Sequence, residues 1–109
     1  MQKVRNNDIY ITKGDTLICI LEITQADGTP YVVKPGDEIR FALKARWTDK
    51  SVAISKLIPH DTMILRLESE ETKTLCPAQI YRYDIQVTMQ DGTVDTIISG
   101  AFHVTGEVD

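Results

Sequence analysis

The chain is poor in the residues that usually carry chemistry. It holds two histidines and two cysteines among 109 residues. His60 and His103 have no neighbour at HxxxH spacing, and zinc needs three or four ligands, so no metal centre is expected. Cys19 and Cys76 stand apart without CxxC spacing, and both are expected as reduced thiols, Cys19 inside an apolar strand. The six glycines are scattered through turns, which excludes a glycine-rich phosphate loop. Gly-x-Ser-x-Gly is absent, so Ser99 and His103 do not form a nucleophile elbow. Asp27-Gly28 and Asp91-Gly92 lack the spaced acids of a calcium loop. Glu68, Glu70 and Glu71 are clustered, but acids at a helix start answer the helix dipole, and a solvated helix start is the simpler reading than a carboxylate pair. The expectation is a non-enzyme: no catalytic residue, no cofactor-binding residue, no metal ligand and no cofactor. A small-molecule ligand is not expected.

Long hydrophobic runs are also missing. The longest is Leu17 to Leu21, far short of a bilayer span. The first ten residues carry basic groups but no apolar signal core, so synthesis in a cytoplasm without a signal peptide is expected. The net charge is −4, and nucleic acids and anionic membranes need a basic footprint, so neither is an expected partner. Charge is unevenly spread. Lys34, Arg40, Lys44, Arg46 and Lys50 concentrate base in mid-chain, whereas Arg82 is followed only by acids. If the Arg40 strand and the closing hairpin expose opposite faces, the domain is electrostatically two-sided and suited to head-to-tail docking.

What the chain does have is period-two alternation. In Leu75 to Val104, Tyr81, Tyr83, Ile85, Val87 and Met89 fall on one face; Arg82, Asp84, Gln86 and Thr88 fall on the other. That is a strand with one buried and one wet face. Asp91-Gly92 between two such runs marks a β-hairpin. The closing strand has Phe102 and Val104 on one side, and blurred alternation around Ile97 to Gly100 predicts a bulge or kink at Gly100. Earlier strands are read at Ile9 to Ile11, Thr16 to Thr24 in a central position, briefly at Tyr31 to Val33, and at Glu38 to Trp47. Two more follow at Val52 to Ile58 and Thr62 to Leu67. Ser69 to Thr74 is the one helical candidate, with Ser69 as its cap. The expected fold is all-β: an immunoglobulin-like or fibronectin III-like antiparallel β-sandwich of about seven strands with at most one short helical turn. A polar, frayed arm at 1–8 precedes a single domain at 9–109. Leu75-x-Pro77-x-x-x-Tyr81 has the spacing of a tyrosine corner, in which a Tyr at the start of a late strand bonds backbone just upstream.

The order and spacing of these motifs resemble a family of small phage and prophage structural modules. The chain is similar to the N-terminal domain of baseplate upper proteins and to stand-alone tail-region proteins of phages infecting Gram-positive bacteria. The matching residues are Lys13-Gly14-Asp15-Thr16, Asp27-Gly28-Thr29-Pro30 and Asp37-Glu38-Ile39-Arg40-Phe41. They continue through Glu71-Thr72, Leu75, Tyr81-Arg82-Tyr83-Asp84-Ile85, Asp91-Gly92, Thr96-Ile97, Gly100 and Phe102-x-Val104. Gln79 stands where that family usually has glycine. The resemblance implies a sandwich that joins virion parts in a tail or baseplate, with phage structural proteins or further copies as partners and a place in the virion. It transfers no site residues. The alternative is a carbohydrate-binding sandwich. Aromatic residues make up only 6% of the chain, and Tyr10, Tyr31 and Trp47 are the ones available for a platform.

Overall fold

The computed structural model describes residues 2–5, 7–22, 27–29, 32–46, 52–77 and 79–106. Its centre is the expected hairpin. Strand β7 (Ile80–Thr88) pairs antiparallel with β8 (Val94–Thr105). The turn closes through Met89 N–H to Thr93 O (2.8 Å) and Gly92 N–H to Met89 O (2.9 Å). Gly92 has φ +90°, the left-handed conformation that glycine adopts without steric cost. Asp91 accepts the Thr93 N–H at 2.9 Å, so its carboxyl is held below the usual carboxylate range. The buried positions of β7 are Tyr81, Tyr83, Ile85 and Val87. Met89 lies just past the strand and is only partly buried.

Six strands form the larger sheet, in the order β1-β2-β8-β7-β4-β5. Strand β4 (Glu38–Lys44) buries Ile39, Phe41 and Leu43, pairing antiparallel with both β7 and β5 (Ile54–Ile58). The sheet is not wholly antiparallel. Strand β2 (Asp8–Thr12) runs parallel to β8, with Ile9 opposite Phe102 and Ile11 opposite Val104. This corrects the all-antiparallel expectation; a chain that enters beside its own last strand need not come from a hairpin. Gln2–Arg5, read as a frayed arm, pair antiparallel with β2 as β1. A smaller sheet of β3 (Leu17–Ile20) and β6 (Ile64–Leu67) covers part of the larger one. Leu17, Leu65 and Leu67 join Phe41, Tyr83, Ile85 and Phe102 in one core cluster.

Several boundaries differ from expectation. Strand β3 is shorter than Thr16 to Thr24, and among the described residues it pairs only with β6, not at a sheet centre. Its second apolar face is exposed: Ile18 is 43% and Ile20 70% accessible. Val32 to Lys34 carry no strand, and Tyr31 and Trp47 lie outside the described residues. The helix is one turn, α1 (Ser69–Thr72), and its N-cap is Glu68 rather than Ser69. Glu71 accepts the Glu68 N–H at 3.0 Å, which satisfies a donor at the helix start. Ser69 instead donates its hydroxyl to Gly14 O at 2.6 Å. Thr72, fully buried, accepts the Gly14 N–H at 3.1 Å and lies 2.8 Å from Asp15 O. The Lys13–Asp15 turn and α1 are thus tied together across 58 residues of chain.

The bulge is present but displaced. Ile85 pairs with Ile98 and Gln86 with Thr96, so Ile97 is the extra residue, while Gly100 stays in register opposite Tyr83. Gly100 has a different reason to be glycine. An added Cβ would lie 2.5 Å from Asn7 O and 3.1 Å from the Tyr83 ring. Asn7 turns the chain with φ +69°, its carbonyl accepts the Tyr83 hydroxyl, and Asp8 accepts the Ala101 N–H at 3.0 Å. Gly100→Ala should cost about 1–3 kcal/mol in urea unfolding, because backbone has to move. Gly106→Ala, where a Cβ meets nothing within 4 Å, should be near neutral. Equal midpoints for the two variants would reject the close approach.

Candidate interaction surface

The residues singled out for chemistry are held in structural roles or lie apart. Glu71 binds Lys56 at 2.6 Å and Glu68 binds Arg66 at 2.6 Å, so the acidic cluster is split between two ion pairs. Lys56 and the Glu68 N–H hold the Glu71 carboxyl low against an opposing effect of burial. His60 is exposed in the β5–β6 turn, far along the chain and the sheet from His103 on β8. Cys19 and Cys76 are free thiols, and burial raises the Cys19 pKa. No group of three metal-ligating side chains occurs among the described residues. Among the described residues no helix is long and apolar enough to cross a membrane.

The tyrosine corner is present as a bond. The Cys76 N–H donates to the Tyr81 hydroxyl at 2.9 Å, closing the turn that leads into β7. Leu75 is buried beside it, and Gln79 donates its side-chain amide to Ile80 O at 3.2 Å. Tyr83 is more deeply placed. Burial, reinforced by the nearby Cys19 and Asp8, pushes its pKa up to about 12.

Two surfaces combine exposed apolar side chains with charge. The first is the outer face of the larger sheet at the end away from the hairpin turn. Lys44 and Arg82 are direct cross-strand partners there. Both project outward, since their strand neighbours Leu43, Tyr81 and Tyr83 are buried. Like charges directly opposed destabilise a sheet. Asp84, two residues along from Arg82, is the nearby acid; burial raises its pKa and Lys44 opposes that rise. Next to this pair lie exposed Ile80 and a stacked Tyr10–His103 pair, ring centroids 4.4 Å apart and 10° from parallel. Sequence reading missed the stack because Tyr10 and His103 are far apart in the chain and meet only through the parallel β2–β8 pairing.

The second surface is the hairpin tip. A groove of about 590 Å³ is lined by Val32, Lys34, Pro35, Asp37, Met89, Gln90 and Asp91. Gln90 ties the walls together by donating to Pro35 O at 3.0 Å. Val94, 56% accessible, and Asp95 follow on the exposed start of β8.

The two-sided charge expectation needs correction. Strands β4 and β7 are neighbours in one sheet, and their polar residues share one face. Arg40 is held locally by Glu38 at 2.9 Å and Ser55 at 2.7 Å. The charge difference runs from end to end along the strands, not from face to face.

No protein-family model, curated protein or solved structure matches the chain.

Two outcomes test the tyrosines. Tyr81→Phe should lower stability by about 1–2 kcal/mol, since the Cys76 N–H loses its acceptor; an unchanged melting temperature would remove the corner. Tyr83 makes stability fall at alkaline pH. Its proton leaves the unfolded chain near pH 10 and the folded one only near 12. The contribution is therefore complete below about pH 10 and lost as pH rises towards 12. Urea midpoints at about pH 8 and pH 11 should differ less in Tyr83→Phe than in the unmodified protein. Equal differences would place the phenol in an ordinary solvated setting.

Proposed function

We propose that the chain is a non-catalytic interaction module of a phage or prophage particle, built as an immunoglobulin-like sandwich and used in tail or baseplate assembly. The observation that carries the fold half is strand order. The order β8-β7-β4-β5 in one sheet with β3-β6 in the other supports this reading, since it resembles the order G-F-C-C′ with B-E of that architecture, and the Cys76–Tyr81 bond supports it as the bond a tyrosine corner would make. The virion half rests on the motif resemblance through Lys13–Thr16, Asp37–Phe41 and the closing hairpin. Several of those motifs supply contacts that hold this domain together. Lys13–Asp15 grips Thr72, Gly100 seats Asn7, and Tyr81 closes its corner. Exposed apolar residues beside charge at both ends of the larger sheet suit protein contacts.

The alternative, a carbohydrate-binding module, has one observation in its favour, the Tyr10–His103 pair on the outer sheet face. Each ring covers a face of the other, which leaves less open aromatic surface for a sugar.

Peptide mass spectrometry on particles purified after prophage induction tests the proposal. The chain is expected at stoichiometric amounts with tail proteins. Particles that assemble without it would overturn the virion role.

A further inference from the structure

The register of β4 against β7 separates charge along the strands. Glu38 lies opposite Thr88 beside the hairpin turn, and Lys44 lies opposite Arg82 at the other end. Six residues of strand span roughly 20 Å, about two Debye lengths at physiological salt, so the two ends present separate fields. The tip carries Asp37, Asp91 and Asp95, with Lys34 the cation of its groove. The opposite end carries the Lys44–Arg82 pair, tempered by Asp84. Arg82 makes no salt bridge among the described residues, whereas Arg40, Lys56 and Arg66 each have one.

An opposed pair of cations costs stability in the isolated domain. That cost is offset when an anionic group from outside sits between them. The tip of another copy has the matching composition. Its acids flank Val94, 56% accessible, and the basic end has Ile80, 50% accessible, two residues from Arg82 on the same outer face. Each end therefore offers exposed aliphatic surface, Val32 and Val94 at the tip and Ile80 at the base, beside charge of opposite sign.

The geometry points to a second copy of this chain as the partner of the basic end, with the acidic hairpin tip of one molecule docked on Lys44, Arg82 and Ile80 of the next. The two patches differ, so the contact is heterologous and propagates into a ring or a filament instead of closing as a twofold dimer. This deepens the interaction-module proposal by naming a partner and the two surfaces that meet.

Sedimentation velocity on the unmodified protein across a concentration series tests it, at about 50 mM and about 500 mM salt. Association at low salt, weakened roughly tenfold or more at high salt, is expected from a contact between charged ends. Two double variants locate the contact: Lys44→Glu with Arg82→Glu, and Asp37→Lys with Asp95→Lys. Asp91 is left alone because its carboxylate holds the turn. Each variant should be monomeric by itself, because its tip and its base then carry charge of the same sign, and an equimolar mixture should associate, because the native acidic tip of the base-reversed variant meets the native basic end of the tip-reversed one. A monomeric unmodified protein at low salt, association indifferent to salt, association surviving in both variants, or a mixture that stays monomeric would each overturn the tip-to-base contact. A monomer that still co-purifies with particles would reject this contact and leave the module. Association by a protein absent from particles would do the reverse.

Discussion

The structure depends on the inner face of β7. Tyr81, Tyr83, Ile85 and Val87 are buried in sequence, and the strand is flanked by β4 on one side and β8 on the other. A strand paired on both edges and buried on one face has its register set twice, because a one-residue slip would turn two tyrosines and two aliphatics into solvent. Burial of aromatic and branched side chains is the largest favourable contribution available to a domain of this size.

The polar contacts tie distant turns to that core. Three of them join segments remote in the chain: Thr72 to Gly14 and Asp15, Tyr83 to Asn7, and Asp8 to Ala101. Each joins a side chain to a backbone group, and no buried side-chain polar atom among the described residues lacks a partner. A buried donor or acceptor left unpaired costs more than a formed bond gains, so such contacts select one arrangement of the turns over many similar ones. The close approach of Asn7 leaves no room for a Cβ at Gly100 without backbone movement, although the glycine stays in regular register.

The same construction leaves the two ends of the larger sheet different in character. Strand register places Lys44 against Arg82 at one end and gathers acids around the hairpin turn at the other. Neither feature contributes to the core. Their cost and exposure support the proposed role as an interaction module, and the exposed outer side of β3 adds a further apolar area in Ile18 and Ile20.

Local periodicity and turn chemistry made much of this legible. The alternation from Tyr81 to Val87, the Asp91-Gly92 turn, the β4 alternation from Ile39 to Leu43 and the Leu75–Tyr81 corner are signals within a few residues, and a strand with one wet face writes itself as period two. Other features depend on partners far away in the chain. The parallel entry of β2 beside β8, the Tyr10–His103 stack, the Gly100–Asn7 approach and the Thr72 tie are all contacts across roughly sixty residues or more, invisible to a pattern read in a short window. The bulge fell at Ile97 instead of Gly100 because pairing with β7, not the glycine, sets where the extra residue goes. Ile18 and Ile20 suggested a covered central strand, yet hydrophobicity alone does not say which neighbours arrive; among the described residues the strand pairs only with β6. Sequence alone determined which residues alternate and where the chain turns, since those are local steric and solvation effects. Tertiary structure decided which strands lie side by side, and hence that charge separates along the strands, because pairing is a contest among distant segments for the same backbone groups and the same core.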